Sequence, residues 1–441
     1  MSTETPNVFV MEQSERASLR ADFSWTFVGN VIYAAGQFAV LMILTKLLRP
    51  ELVGQYALGL ALVYPLMMLT NMQLRFVMNS AGTQASHFGN YLSLRLLTTS
   101  AALAMILVVT QILRYGPDLT EVVLMVGVAY GVETISDVYY ARLQLHDRMA
   151  EISKSMILRA VLSVLGVAVG VYITGNLLWG ILGIAIARAA ILFGYDVRRR
   201  THNLERESGQ SSTKRALVPR FDLKEQLVLL RHGLPLGIVV LLTTLSSSIP
   251  NFFIKHGLGE RDVGIFSVIS LTISVGNMAV VSLGQAAFTR LARSYFQREF
   301  AKFASLLGKL LLAGAAIGIS GMVISQFAGR EILTVLFRSD YADRADLLPW
   351  IMAAGAILFM AQFVGFGLTA AGFYRAQVLP TVLAIISLVA TCNWLVAHDG
   401  LFGVIIAMLI AALVQFVASA AVLLAETRKH FFTPLGGGQS A

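Results

Sequence analysis

Long apolar runs separated by short polar turns dominate the chain. Runs with few or no charged side chains are close to the roughly 20 residues that a helix needs to cross a bilayer. In the first half they cover residues 23–45, 52–74, 96–113, a stretch starting near residue 122, 160–173 and 177–195. In the second half they cover residues 233–254, 263–289, 310–328, 347–374, 376–397 and 400–425. The pattern predicts an all-α integral membrane protein with about twelve transmembrane helices.

The longest polar stretch lies between these two sets of runs. It predicts a basic cytoplasmic linker, residues 196–230, between two lobes of six helices each. The N-terminal lobe covers residues 22–195 and the C-terminal lobe residues 231–425. Residues 1–21 and 426–441 are then cytoplasmic tails.

A short internal repeat supports this division into two lobes. The sequence VGQYAL occupies residues 53–58, after the first apolar run, and VGIFSV occupies residues 263–268, after the seventh. The two segments are 210 residues apart and occupy equivalent places in the two predicted lobes. This similarity indicates that one half is a duplicate of the other.

The positions of the basic residues predict the orientation. With both termini in the cytoplasm, 25 of the 34 Lys and Arg residues fall on the cytoplasmic side and 8 in outside loops. This bias is the one that membrane insertion produces. It also accounts for the net charge of +9, so no nucleic-acid partner is expected.

Composition excludes several kinds of chemistry. Only 13% of the residues are charged, against about 25% in soluble proteins, and the mean hydropathy is +0.71. The single cysteine, Cys392, excludes an intrachain disulfide and any CxxC metal or redox motif. We expect no cofactor, no metal site and no enzymatic activity. The short outside loops disfavour a glycosyltransferase or polymerase, because such enzymes generally need a sizeable outside loop for sugar chemistry.

Two carboxylates inside the fourth run are the first candidate site. Glu133 and Asp137 are four residues apart and therefore share one face of a helix. Acidic groups within a membrane span are usually functional, so both are candidates for coupling transport to a proton or Na⁺. The alternative is a structural role, with each carboxylate satisfied by a neighbouring helix.

Arginines and amides form the second candidate site. Arg188 lies near the middle of the sixth run and is the single Lys or Arg that the prediction places inside a span. There it could bind an anionic substrate or only pair with Glu133. The other candidate substrate contacts are three arginines at predicted cytoplasmic ends of helices and two amides in the uncharged first run: Arg142, Arg159, Arg290, Asn30 and Gln37. For each of the three arginines, the orientation bias together with snorkelling of the side chain to the interface is the simpler explanation.

Four segments resemble the polysaccharide and O-antigen flippases (Wzx-like) of the multidrug/oligosaccharidyl-lipid/polysaccharide exporter superfamily. They are LLRPELVGQYALGLAL, ISDVYYARLQLHDRMAEISKSMILR, LLRHGLPLGIVVLLTTLSSSIPNFFIKHGLGERDVGIFSVIS and LGQAAFTRLARSYFQ. The resemblance runs from the first apolar run to about the tenth. The related lipid II flippases carry an Arg-Asp pair in the first span, which this chain lacks, so lipid II is not the expected substrate.

The resemblance implies a fold of two six-helix lobes around a central cavity. It implies a multi-pass protein of the bacterial inner membrane that translocates undecaprenyl-diphosphate-linked oligosaccharides for O-antigen, capsule or exopolysaccharide synthesis, by alternating access. The expected partners are the lipid-linked oligosaccharide, a coupling proton or Na⁺, membrane lipids, a polysaccharide polymerase and a chain-length regulator. A cation-coupled multidrug antiporter shares the fold and stays the main alternative, and a membrane glycosyltransferase or polymerase is a more remote one. The charges inside the spans argue against a scaffold for polymer synthesis, which has no reason to bear their cost.

Overall fold

A computed structural model gives the fold for residues 7–75, 78, 88–146, 148–197 and 219–432. Every regular element in this part of the chain is helical. The long helices are α1 (Asn7–Leu47), α2 (Pro50–Asn71), α3 (Phe88–Ile112), α4 (Pro117–Leu145), α5 (Met149–Thr174), α6 (Leu177–Ile191), α7 (Leu223–Gly257), α8 (Glu260–Phe296), α9 (Phe300–Leu336), α10 (Leu348–Ala370) and α11 (Val378–Phe432). A π-helical segment, Leu192–Val197, extends α6.

All eleven helices contain a segment that is long and apolar enough to cross a membrane. Helix α11 has 55 residues, and its backbone breaks at Gly400, which has φ 58° and ψ −133°. A positive φ is open to glycine at little cost, so the break separates two consecutive spans within α11. Counted in this way, the described residues contain twelve segments that are long and apolar enough to span a membrane, and the predicted all-helical membrane fold is confirmed.

The chain forms two compact units. The first comprises the residues up to Arg49 together with Leu62–Thr244, and the second comprises Pro50–Ala61 together with the residues from Leu245 onward. Helices α2 and α7 thus each contribute to both units. The predicted lobes and the cytoplasmic position of both termini stay predictions, and residues 198–218 of the predicted linker lie outside the described part.

In the first unit, α5 and α6 pack closely against each other. A Cβ atom at Gly166 would lie 2.5 Å from the carbonyl oxygen of Gly183, and one at Gly183 would lie 2.2 Å from that of Gly166. Only glycine permits such an approach. Because the short turn between α5 and α6 makes them antiparallel, residues a few positions before Gly166 face residues a few positions after Gly183. This arrangement brings Arg159 towards Arg188.

In the second unit, the glycines of the two predicted repeats contact each other. A Cβ atom at Gly54 would lie 1.8 Å from the carbonyl oxygen of Glu260. A Cβ atom at Gly264 would lie 2.2 Å from the carbonyl oxygen of Pro50. Each glycine therefore faces the residue four positions before the other, which is the reciprocal contact expected of two equivalent helices. Gln55 also donates to the Glu260 carboxylate at 2.8 Å.

Candidate functional site

The polar stripe of α4 faces protein. Glu133 forms an ion pair with Arg188 of α6, with 2.8 Å between its Oε2 and the arginine Nη1. Its Oε1 accepts a hydrogen bond from the Tyr33 hydroxyl of α1. The arginine side chain is only 2% exposed and its guanidinium lies 4.5 Å from the centre of the Tyr130 ring. An aromatic face and a carboxylate both stabilise a buried guanidinium.

Asp137 lies one turn after Glu133 and has its own partners. Asn71, at the end of α2, donates to Asp137 Oδ2 at 3.2 Å. Arg95 of α3 in turn donates to Asn71 Oδ1 at 2.8 Å and is 1% exposed. The amide of Asn71 thus bridges Arg95 and Asp137, which do not contact each other directly.

A second carboxylate–arginine pair lies beside the first. Arg159 of α5 donates from Nη2 to Asp196 Oδ2 at 3.2 Å, and both side chains are buried. Ser155 donates to Asp196 Oδ1 at 2.6 Å, and its oxygen lies 2.8 Å from the Tyr140 hydroxyl. The Arg159 Nη1 is also 3.9 Å from Glu133 Oε1. Glu133 therefore has two arginines within ion-pair distance, one on each oxygen.

These groups form what we call the charge network, made up of three arginines and three carboxylates: Arg95, Arg159, Arg188, Glu133, Asp137 and Asp196. Their formal charges cancel. Each buried ion costs several kcal/mol to desolvate, and only close partners offset that cost. Such an arrangement can hold an anion or a proton when one of its pairs separates.

Four of the predicted site residues belong to this network: Glu133, Asp137, Arg159 and Arg188. Gln37 joins at its edge, since its amide donates to the Tyr33 hydroxyl at 2.9 Å.

The other three predicted site residues lie apart from the network. Arg142 places its guanidinium 5.6 Å from the centre of the Phe88 ring. Asn30 is exposed and its amide donates to the carbonyl of Thr26 at 2.9 Å. Arg290 is exposed and lies on α8 in the second unit. Their assignment as substrate contacts stays a prediction.

Two expectations about the arginines are wrong. Arg159 does not lie at the end of a helix, because α5 begins ten residues earlier, at Met149. Arg188 is not the single basic residue inside a span, because Arg95 and Arg159 are also buried within spanning helices. The predicted orientation counted both as cytoplasmic, and without them the basic residues still divide 23 to 8.

Sequence reasoning missed Arg95 and Asp196. On α5, Ser155, Arg159 and Ser163 repeat every four residues as one polar stripe. This stripe indicates a polar environment on that face of α5, but it does not identify Arg95 or Asp196. No comparable signal exists for Asp196. In the described part of the chain, no group of three or more His, Cys, Asp or Glu residues could hold a metal ion.

Comparison with known proteins places this architecture in a family. Residues 19–295 match the family model described as "Polysaccharide biosynthesis protein". The chain is 24% identical over 405 residues to the capsular polysaccharide biosynthesis protein CapF of Staphylococcus aureus. The aligned region covers 90% of this chain and 96% of that protein.

Solved transporter structures share the fold. The lipid II flippase MurJ in an inward closed conformation matches with a TM-score of 0.68 and 11% identity, over 94% of each chain. An inward-facing multidrug resistance transporter of the MATE family matches with a TM-score of 0.62 and 17% identity, over 92% of this chain and 95% of that one. The chain is thus a multi-pass membrane protein with the fold of the MOP superfamily, and it belongs to the polysaccharide biosynthesis protein family.

Proposed function

We propose that the protein is a flippase that moves undecaprenyl-diphosphate-linked oligosaccharides across the bacterial inner membrane by alternating access. The observation that carries the proposal is the family match over residues 19–295. The transporter fold and the similarity to a capsular polysaccharide biosynthesis protein support it. The products of this flipping feed a polysaccharide polymerase and a chain-length regulator, which we propose as partners.

The chemistry of the substrate explains why a membrane transporter would keep buried arginines. Moving a diphosphate through the bilayer without a partner cation carries a prohibitive desolvation cost. An arginine keeps its charge in such a place and can grip two phosphate oxygens with its planar fork. We assign this role to Arg188, which would exchange Glu133 for the diphosphate.

Glu133 is the proposed coupling site. When Arg188 leaves, the carboxylate at 2.8 Å loses its closest cation and can take up a proton or Na⁺. Return of Arg188 releases that ion on the other side of the membrane. Asp137 contributes less, because its contact is with the Asn71 amide and not with an arginine.

Transport by the purified protein in vesicles tests this function. We expect undecaprenyl diphosphate carrying a short oligosaccharide to cross in the order wild type, Arg188→Lys, then Arg188→Ala with little transport. Glu133→Gln should reduce transport strongly and flatten its pH dependence, and Asp137→Asn should do so less. Normal transport by Glu133→Gln at every pH would leave the carboxylate with a structural role only.

The second candidate function is a cation-coupled multidrug antiporter. The match to a MATE multidrug transporter, at a higher identity than the match to MurJ, favours it over a scaffold for polymer synthesis. The same vesicles separate the flippase from the antiporter. Ion-driven accumulation of a cationic dye without any movement of the lipid-linked oligosaccharide would identify the antiporter and overturn the flippase.

A further inference from the structure

The Glu133 carboxylate has an asymmetric pair of cations. Arg188 lies at 2.8 Å, whereas Arg159 lies at 3.9 Å, beyond hydrogen-bond distance. Arg159 donates instead to Asp196 at 3.2 Å. Arg188 is thus the nearer cation of Glu133, and Arg159 lies about an ångström farther away, in contact with a competing carboxylate.

The position of Asp196 depends on the π-helical end of α6. In a regular α-helix, a residue eight positions after Arg188 points about 80° away from it. The segment Leu192–Val197 has the wider π-helical turn, which delays the rotation and brings Asp196 back towards the Arg188 face. Single π-helical turns inside α-helices occur frequently at functional sites.

Asp196 is also fixed in orientation. Its side chain is fully buried, with one oxygen on Arg159 and the other on the Ser155 hydroxyl. Because that hydroxyl has one proton and donates it to Asp196, it accepts from Tyr140. The ring of Tyr140 lies 5.4 Å from the Arg159 guanidinium. Both oxygens of Asp196 are therefore occupied, and it cannot turn away from Arg159 without losing a buried hydrogen bond.

We infer that Asp196 is a positioning residue, which acts by holding Arg159 away from Glu133 and so leaves that carboxylate able to exchange its ion during transport. The inference rests on the proposed function, since it assigns the control of the coupling site. With Asp196 absent, Arg159 would move the last ångström and Glu133 would have two direct cations. Two neighbouring arginines stabilise the charged form of a carboxylate, so it is protonated only at a much lower pH.

Several other groups lie near Glu133, and the single-variant test leaves all of them unsubstituted. On the neighbouring helices they are Tyr33 of α1, Tyr64 of α2, Arg159 of α5 and Arg188 of α6, and on α4 itself they are Asp137 and Tyr130. The nearest charged group on α3 is Arg95, which acts on Asp137. Asp196→Asn substitutes none of these residues, and of them only Arg159 is in direct contact with Asp196. This variant keeps the size of the side chain and an oxygen for Ser155.

The test compares pH profiles of transport in vesicles, with undecaprenyl diphosphate carrying a short oligosaccharide as the substrate. We expect Asp196→Asn to move the acidic transition by about one pH unit towards lower pH. The exposed carboxylate Asp343 gives the matched control, and Asp343→Asn should leave the profile unchanged. A uniform loss of transport at every pH would give Asp196 a structural role and overturn the inference.

A double substitution shows whether the effect passes through Arg159. In an Arg159→Gln background, Asp196→Asn should move the transition by much less than it does alone, because the cation that it releases is missing. This pair also keeps the buried charges balanced, so the double variant should insert and fold. A shift as large as in the wild-type background would mean that Asp196 acts on Glu133 directly, contrary to the inference.

Infrared spectroscopy gives a readout that does not depend on transport. The band of a protonated carboxylic acid that disappears in Glu133→Gln reports Glu133 itself. In purified protein, this band should appear at lower pH in Asp196→Asn than in the wild type, and an unchanged titration would overturn the inference. Vesicles in which the wild type moves no lipid-linked oligosaccharide, while the band shifts as expected, would instead remove the proposed function and keep the assignment of Asp196.

Discussion

The ion pair between Glu133 and Arg188 allows folding and transport to be separated by one set of variants. Removing one partner of a buried pair costs about 3–5 kcal/mol, because the other charge stays buried. For Arg188→Ala we expect the lower end of this range, about 3 kcal/mol, since Arg159 already lies 3.9 Å from Glu133. That corresponds to about a hundredfold change in the unfolding equilibrium. For Glu133→Gln we expect a similar cost.

The double variant Glu133→Gln with Arg188→Ala leaves neither charge of the pair uncompensated. We therefore expect it to recover most of the lost stability in detergent unfolding experiments. Transport normalised to protein level in the membrane should not recover, because the proposed diphosphate contact is missing. Arg293→Ala, which removes an exposed arginine of α8, is the matched control and should change neither quantity.

Recovery of transport together with stability would refute the substrate role. Arg188 would then serve only to neutralise Glu133, and a different group would have to carry the diphosphate. Failure of the double variant to recover stability would mean that the ion pair at 2.8 Å is not the main interaction of either residue.

Two further predictions concern the fold. In thermal unfolding, Gly54→Ala should destabilise the protein by about 1–3 kcal/mol, because its Cβ would lie 1.8 Å from a backbone oxygen of α8. The control Gly308→Ala should be neutral or slightly stabilising, because a Cβ there would have no neighbouring atom within 4 Å. Equal stabilities of the two variants would contradict the close helix contact. Reporter fusions at Gly175 and His398 should show an extracytoplasmic location, and a fusion at Ser211 should show a cytoplasmic one. Ser211 is not among the residues that the structure describes. An extracytoplasmic signal at Ser211 would contradict the predicted orientation.

The sequence predicted the positions of the spanning helices better than it predicted which charged residues lie inside them. Apolar runs identify spanning helices because a bilayer requires about 20 apolar residues and complete internal hydrogen bonding. A charged side chain interrupts such a run, so the predicted fifth span began at residue 160. Helix α5 in fact begins at Met149, and Arg159 lies well inside it. The error arises because a paired arginine can be buried in a spanning helix at a cost that hydropathy does not count.

The partners in the charge network were harder to predict than its members. The four-residue spacing of Glu133 and Asp137 placed them correctly on one face of α4. The ion pair of Glu133 with Arg188 was one of two roles that the sequence left open for the arginine. Asp196 could not have been predicted, because its position depends on a π-helical turn that has no recognised sequence signature here.

The most direct test of the central claim is lipid translocation by the purified protein. Vesicles carry undecaprenyl diphosphate with a short oligosaccharide in their inner leaflet, and an enzyme or lectin added outside detects each glycan that crosses. We predict rapid appearance of the glycan with the wild-type protein and little with Arg188→Ala at equal protein content. Equal rates with wild-type protein, Arg188→Ala and protein-free vesicles would contradict the assignment of this chain as a flippase for lipid-linked oligosaccharides.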